Sequence, residues 1–380
     1  MNIMTDTLAK ALSDINNPDT IRQILTADST NIEQNSPALG NTGQPKLTDL
    51  YDRFLTRRQD RSPSTRSQYK RTIPHFIKFA EEQGTLQPSE ISTELVDSYV
   101  DELQGSYDAD ATIHTYTKNV RSWLQWLSNR NLCDESVYRI LDKEEIGLSP
   151  AARDEAIPSM RASQILQHLR NKRRGTEIHA LIELLWNAGP RIGGVHSSDV
   201  EDFDPENREL RFRHRPETGT RLKNGDGADR TSGDGERNVE LSDRVVEAIQ
   251  LYIETTRPDI TDEHGREPLF TTQHGRASRS TLRRWVYKAT SCRWVSIEAE
   301  DQVCDGSCCP DSDVCSHSYY PHAIRRGAIV HHLSGGLRPD LASERFDVST
   351  KIIRKHYDPR TKRQRREDRA ESVRNAWEVD

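Results

Sequence analysis

The chain has 380 residues, 33% of them hydrophobic and 30% charged, with a formal net charge of -6. That length suffices for two domains, and the lack of any run of about 18 apolar residues excludes a membrane-spanning helix and points to a cytoplasmic protein. The acidic total taken alone argues against a nucleic-acid partner, but the charges are segregated along the chain.

Residues 1–45 are rich in Asn, Thr, Ser and Asp and are expected to form a flexible tail. Residues 46–80 are basic, with Arg57, Arg58, Lys70 and Arg71 among nine cations against Asp49, Asp52 and Asp60; the next thirty are acidic. A second basic run, 276–297, holds Arg276, Arg279, Arg283, Arg284, Lys288 and Arg293 and no acid. Such segregation suits one face turned to phosphates and others to solvent, and makes Lys70, Arg71, Arg283 and Arg284 candidate DNA-binding residues.

Apolar residues at helical spacing predict four amphipathic helices in 46–145. Thr48 is placed to cap the first, carrying Leu50 and Phe54, and Ser64 the second, with Ile73 and Phe76 and a kink at Pro74. Ser92 leads the third, and the fourth carries Tyr116, Trp123 and Trp126, read as core rather than as a base-stacking platform. Together they make a small all-α domain. Gly147, Pro150 and Pro158 among charges mark a linker, 146–158.

From 159 to 380 the pattern predicts a second domain, mostly helical with a small antiparallel sheet. Helices are expected at 159–170, 176–188, 243–256, 279–290, 322–333, 338–346 and 349–356. Alternation at 208–216 and 237–241 predicts two strands, joined by a long Gly/Asp-rich loop from Gly219 to Gly235.

Three segments carry chemistry: Asn187-Ala188-Gly189-Pro190-Arg191-Ile192, Pro321-His322-Ala323-Ile324-Arg325-Arg326-Gly327, and Lys355-His356-Tyr357-Asp358. In this order, over residues 46–380, they resemble the tyrosine recombinase, or phage integrase, family, specifically a Xer-like form of archaeal type with a Cys-rich insertion. The resemblance implies a mainly α fold: an all-α, SAM-like core-binding domain that clamps DNA, followed by a mixed α+β catalytic domain. It implies a site-specific recombinase that cuts and rejoins double-stranded DNA through a 3′-phosphotyrosyl bond, self-associating into a tetramer on its site. Tyr357 stands where the family places its nucleophile.

The chemistry calls for these residue types. Cleaving a phosphodiester gathers negative charge on the non-bridging oxygens, which two arginines, Arg191 and Arg325, can answer with planar forks of donors that stay charged. A phenol with a pKa of about 10 needs a base, for which His322 is the candidate. The leaving oxygen needs a proton, which the family takes from a lysine on a strand hairpin, and Lys223 is the only lysine between the two predicted strands. A phosphotyrosine link conserves bond energy, so no cofactor is required for rejoining.

Two positions depart from the family pattern. Gly194 stands where many members carry a Glu, and the stretch Arg345-Phe346-Asp347-Val348-Ser349 lacks the usual second His or Trp. Five cysteines fall in 292–315, and Cys304, Cys309, Cys315 and His317 could hold a structural zinc ion. Two further readings stay open from the residues alone: a type IB topoisomerase-like DNA relaxer, and a non-catalytic DNA-binding regulator of the same fold. A zinc-finger transcription factor is a third, though the cysteine spacing fits no finger.

Overall fold

The computed structural model describes residues 45–150, 155–223, 235–292, 315, 317–358 and 360–377. The chain forms two compact units, Met1–Ala152 and Arg153–Asp380. Among the described residues no helix is long and apolar enough to cross a membrane.

In the first unit α1 (Leu47–Thr56), α2 (Pro63–Glu82), α3 (Thr93–Ser106) and α4 (Asp110–Ser128) surround one core, with a short α5 (Ser136–Arg139) beside them. The first two starts differ from the expected ones. Helix α1 begins at Leu47 without a side-chain cap. Helix α2 is capped by Ser62, whose Oγ accepts from the Thr65 N–H at 3.2 Å, because Pro63 favours the first helical position. It runs on through Pro74 as one element. It stops at Gly84, where left-handed φ +83° lets the Gly84 and Thr85 N–H groups reach back to the Glu81 and Ala80 carbonyls. Ser92 caps α3 through the Leu95 N–H. Phe76 packs edge-on against Tyr99 and Trp123, with ring centroids 5.0 and 6.1 Å apart. Tyr116, Trp123 and Trp126 are all buried.

The second unit is built around α7 (Glu177–Ala188), which packs against α6 (Ser159–Lys172), α9 (Asp243–Thr255), α10 (Arg279–Thr290) and α11 (Pro321–Ser334). Being enclosed, α7 is apolar nearly all round, with Ile178, Leu181, Ile182, Leu184 and Leu185 buried. Its one buried acid, Glu183, is paired with Arg170 of α6. A short α8 (Ile192–Ser197) follows α7. The sheet has three antiparallel strands in the order β1 (Phe203–Asp204), β2 (Glu209–Phe212), β3 (Arg237–Glu240), one more than the sequence pattern predicts. Leu210 pairs with Val239, which keeps both on the core face. A further hairpin, β4 (Thr271–Thr272) and β5 (Gly275–Arg276), was not expected. The chain then ends in α12 (Pro339–Phe346), α13 (Thr350–His356) and α14 (Lys362–Trp377). The expected tail, 1–45, lies almost wholly outside the described residues.

Among the described glycines, the least room for a side chain is at Gly327 of α11. A Cβ there would lie 2.4 Å from the Ile157 carbonyl oxygen and 3.1 Å from the Trp186 ring. The Ile157 N–H also donates to the Ala323 carbonyl at 3.1 Å, so neither backbone can move aside freely. Gly327→Ala should therefore lose about 2–3 kcal/mol, seen as a fall of about 5–10 °C in thermal midpoint for a unit of this size. An unchanged melt would show that the contact has slack.

Candidate active site

The turn between α7 and α8 is where the site begins. Gly189 ends α7 in left-handed geometry, φ +52° and ψ 35°, and Arg191 follows as the N-cap residue of α8. A Cβ on Gly189 would sit 2.7 Å from the Phe346 ring of α12, so both backbone conformation and space require glycine. Helix α12 in turn ends at Asp347, also left-handed at φ +50°.

Between these two turns lies Arg325 of α11, only 1% exposed. One terminal nitrogen donates to the Gly189 carbonyl at 2.6 Å, the other to the Phe346 carbonyl at 2.6 Å and the Asp347 carbonyl at 3.5 Å. Its buried Nε has no hydrogen-bond partner among the described residues. Burial, with Arg191 and Arg237 nearby, pushes its pKa down to about 9, while Tyr357 and Asp347 oppose the shift. Arg191 Nη1 donates to the Asp347 carboxylate.

His322 lies one turn before Arg325, at the start of α11. The residue borders solvent, yet its ring loses hydration against the surrounding groups. That loss, and the charges of Arg325, Arg326, Arg191 and Lys223, push its pKa down to about 4. The same influence places Lys223 within electrostatic reach of His322. Lys223 itself is exposed, just beyond a turn held by reciprocal hydrogen bonds between Arg215 and Thr220. That turn is tied down from β4–β5 and the segment before it: Arg266 donates to Thr218, to Thr220 at 3.1 Å, and to the fully buried Asp199 at 2.7 Å.

Tyr357 ends α13, 6% exposed, its N–H on the Ile353 carbonyl at 2.9 Å. The Arg326 guanidinium stands over its ring at 5.1 Å and donates to the His356 carbonyl. Arg191, Lys223, His322, Arg325 and Tyr357 thus come from four separate segments of the second unit and share one cationic neighbourhood.

Sequence reasoning passed over three residues here. Arg326 was read only as part of a box, Asp347 was given no role, and Arg237 was not considered. Arg237, at the head of β3, donates to the Arg345 carbonyl at 2.8 Å and lies 4.4 Å over the Phe212 ring. Burial, with Arg191 and Arg345, lowers its pKa to about 10 against the raising effect of Asp347. Long-range contacts of this kind leave no local pattern in the chain.

The cations of the two basic runs divide. Lys70, Arg71, Arg283 and Arg284 are exposed, with no acidic partner among the described residues. Arg276, counted in the same basic run, is instead partly buried and engaged in ion pairs with Asp199 and Asp262, at 2.6 and 2.8 Å, so not every cation of the run is open to solvent.

Of the proposed metal ligands, Cys304 and Cys309 lie outside the described residues, and among those described no group of three or more His, Cys, Asp or Glu is arranged to hold a metal ion. Cys315 is buried, and its Sγ accepts from the Cys292 N–H at 3.4 Å. Burial raises its pKa, but donation from Ser318 and from the Cys292 and His317 N–H groups outweighs this and holds the thiol below its usual value.

The model of the phage integrase N-terminal SAM-like domain matches residues 48–131. A protein called tyrosine recombinase XerD from Staphylococcus aureus is 22% identical over 319 residues, 82% of this chain and 97% of the relative. Its namesake from Staphylococcus epidermidis is 22% identical over 316 residues, covering 82% and 93%. Among solved structures, the Tn1549 transposon integrase in complex with circular intermediate DNA matches with a TM-score of 0.62 at 14% identity, over 85% of this chain and 98% of that one. A lambda integrase dimer bound to a COC′ core site gives 0.57 at 12% identity, over 84% and 97%. At such identities the structural likeness establishes the fold.

The electrostatics of the site can be read directly. In NMR titration the His322 ring should change protonation well below pH 6.5, near 4, and Lys223→Ala should move the midpoint upward. A midpoint at or above 6.5 would contradict the convergence of cations on that ring.

Proposed function

We infer that this chain, which belongs to the tyrosine recombinase family and is a DNA strand-exchanging enzyme, does its chemistry with Tyr357, Arg191, Arg325, His322 and Lys223. The observation that carries this reading is the burial of Arg325 between the Gly189 and Phe346 carbonyls, which ties the Arg191 turn to the segment leading to Tyr357.

In this reading the phenol oxygen of Tyr357 attacks a DNA phosphodiester, forming a 3′-phosphotyrosyl bond as the bond to the 5′ oxygen breaks. His322, held neutral at pH 7 by its low pKa, takes the phenol proton. Arg326 over the Tyr357 ring favours the negative charge that develops there. Arg191 and Arg325 stabilise the charge on the non-bridging oxygens, each worth about a hundred- to a thousand-fold in rate. Lys223 supplies the proton to the leaving oxygen. Reversal of the step with a new 5′ hydroxyl rejoins the strand. Strand exchange between two duplexes asks for two pairs of protomers, so the working form is a tetramer on double-stranded DNA, acting in the cytoplasm. Lys70, Arg71, Arg283 and Arg284 contact phosphates. The topoisomerase-like and regulator readings find no favouring observation beside the recombinase relatives.

The cofactor reading is a proposal of the same kind. Cys315, whose buried Sγ already accepts from the Cys292 N–H at 3.4 Å, would join Cys304, Cys309 and His317 on a structural zinc. Purified protein should then contain about one equivalent of metal, and a chelator should lower its melting temperature; active, metal-free protein would retire the site.

The enzymatic roles are separable in one experiment on nicked DNA bearing the cleavage site. Tyr357→Phe should give no covalent adduct while binding DNA within about threefold of wild type. Lys223→Ala should cleave slowly, and a 5′-bridging sulfur, which leaves without protonation, should restore most of the rate. Adduct from Tyr357→Phe, or a Lys223 deficit untouched by sulfur, would each overturn the corresponding role.

A further inference from the structure

We propose that Asp347 is the positioning residue of the arginine pair, its carboxylate orienting Arg191 while its backbone turn fixes Arg325. The inference rests on the recombinase reading above and adds to it a residue that acts through the arginines rather than on DNA.

The physical problem is a cluster of like charges. Arg191, Arg237 and Arg325 lie near enough for Arg191 to lower the pKa of each of the other two. Without a counter-charge, long cationic side chains so placed would splay toward solvent. Asp347 acts on all three: it pairs with Arg191 directly, and its charge works in favour of the charged forms of Arg237 and Arg325.

The local backbone explains why this residue can do so. Asp347 is one of three non-glycine residues with positive φ among the described residues, a conformation in which Asp is enriched. The left-handed turn stops α12 and aims three consecutive acceptors, the Phe346 carbonyl, the Asp347 carbonyl and the Asp347 carboxylate, at two arginines. Phe346 is locked in turn against Gly189, so the Asp347 turn and the Arg191 turn are one assembly.

The simpler solution, a carboxylate one turn along α8 from Arg191, is absent. Position 194 is glycine, and a Cβ there would already press on the Phe212 ring at 3.2 Å. The charge therefore comes from a different segment, 156 residues away along the chain. The ion pair occupies only one of Arg191's donor nitrogens, and Arg191 keeps 27% of its side chain exposed. A guanidinium carries five N–H donors, so the remaining ones can meet a phosphate.

The test is a double-mutant cycle on a half-site duplex built on the cleavage position of the wild-type protein, with single-turnover adduct formation as the readout. Asp347→Asn keeps size and tolerance of the left-handed turn but removes the charge. It should lower the cleavage rate about 10- to 100-fold, with DNA Kd within about threefold and the protein still fully folded at the assay temperature. In an Arg191→Ala background the same substitution should cause no further loss, and a gain is expected, because the orphaned carboxylate would then repel the phosphate. A merely structural role predicts the same loss in both backgrounds, which would overturn the proposal, as would full activity of Asp347→Asn alone. Wild-type protein that forms no adduct would instead remove the recombinase reading on which the proposal stands.

Discussion

Burying the guanidinium of Arg325 is the constraint around which the second unit is arranged. An uncompensated charge in a protein interior is strongly unfavourable, and removing one partner of a buried charged group typically costs about 3–5 kcal/mol. The chain meets this with two main-chain carbonyls at 2.6 Å from two different turns. Carbonyls at the ends of helices α7 and α12 lack intrahelical partners in any case, so the arginine satisfies them as they satisfy it. Both turns must then be left-handed, which explains Gly189 at one and Asp347 at the other. The position of Arg191 follows, since it leaves the first turn one residue after Pro190.

The same arrangement sets the chemistry of its neighbours. Lost hydration of its ring, together with the cations gathered around it, lowers the pKa of His322 to about 4, where an isolated imidazole would be partly protonated at neutral pH. Surroundings that concentrate positive charge therefore also hold this imidazole in its neutral form at pH 7. The concentration of positive charge is unfavourable until an anion arrives. That cost is held in check by Asp347 at one side and by carbonyls at the other.

How much was legible in the sequence depended on whether the signal was contiguous. Periodicity located the helices and so the mainly α fold with a small sheet, while Gly189 through Arg191, the His322–Arg325 box and Tyr357, each a short contiguous segment near a helix end, were legible through their resemblance to the family's motifs. Asp347, Arg237 and Arg326 work through partners dozens or more residues away or on the face of another element, and nothing local distinguishes them from ordinary surface charges. The strands β1, β4 and β5 are two residues each, too short for alternation to register. The basic run from Arg276 misled for a related reason: charge in sequence does not say which side chain turns inward, and Asp199 draws Arg276 into the interior.

Asp199 also accounts for a feature the motif alone leaves open, namely why Lys223 stands where His322 feels its charge. A lysine on a hairpin has many available positions, and its four-carbon stem is flexible. Asp199 is completely buried and meets Arg215, Arg266 and Arg276 at 3.4, 2.7 and 2.6 Å. Arg266 extends from it to Thr218 and Thr220, and Arg279 of α10 reaches the Arg221 carbonyl at 3.1 Å. The backbone entering Lys223 is thereby fastened on two sides up to two residues before it, while the side chain remains exposed. A held backbone with an exposed side chain gives the Lys223 ammonium reach from a fixed base. An ion-pair network at the base of the hairpin is therefore part of what sets the position of Lys223.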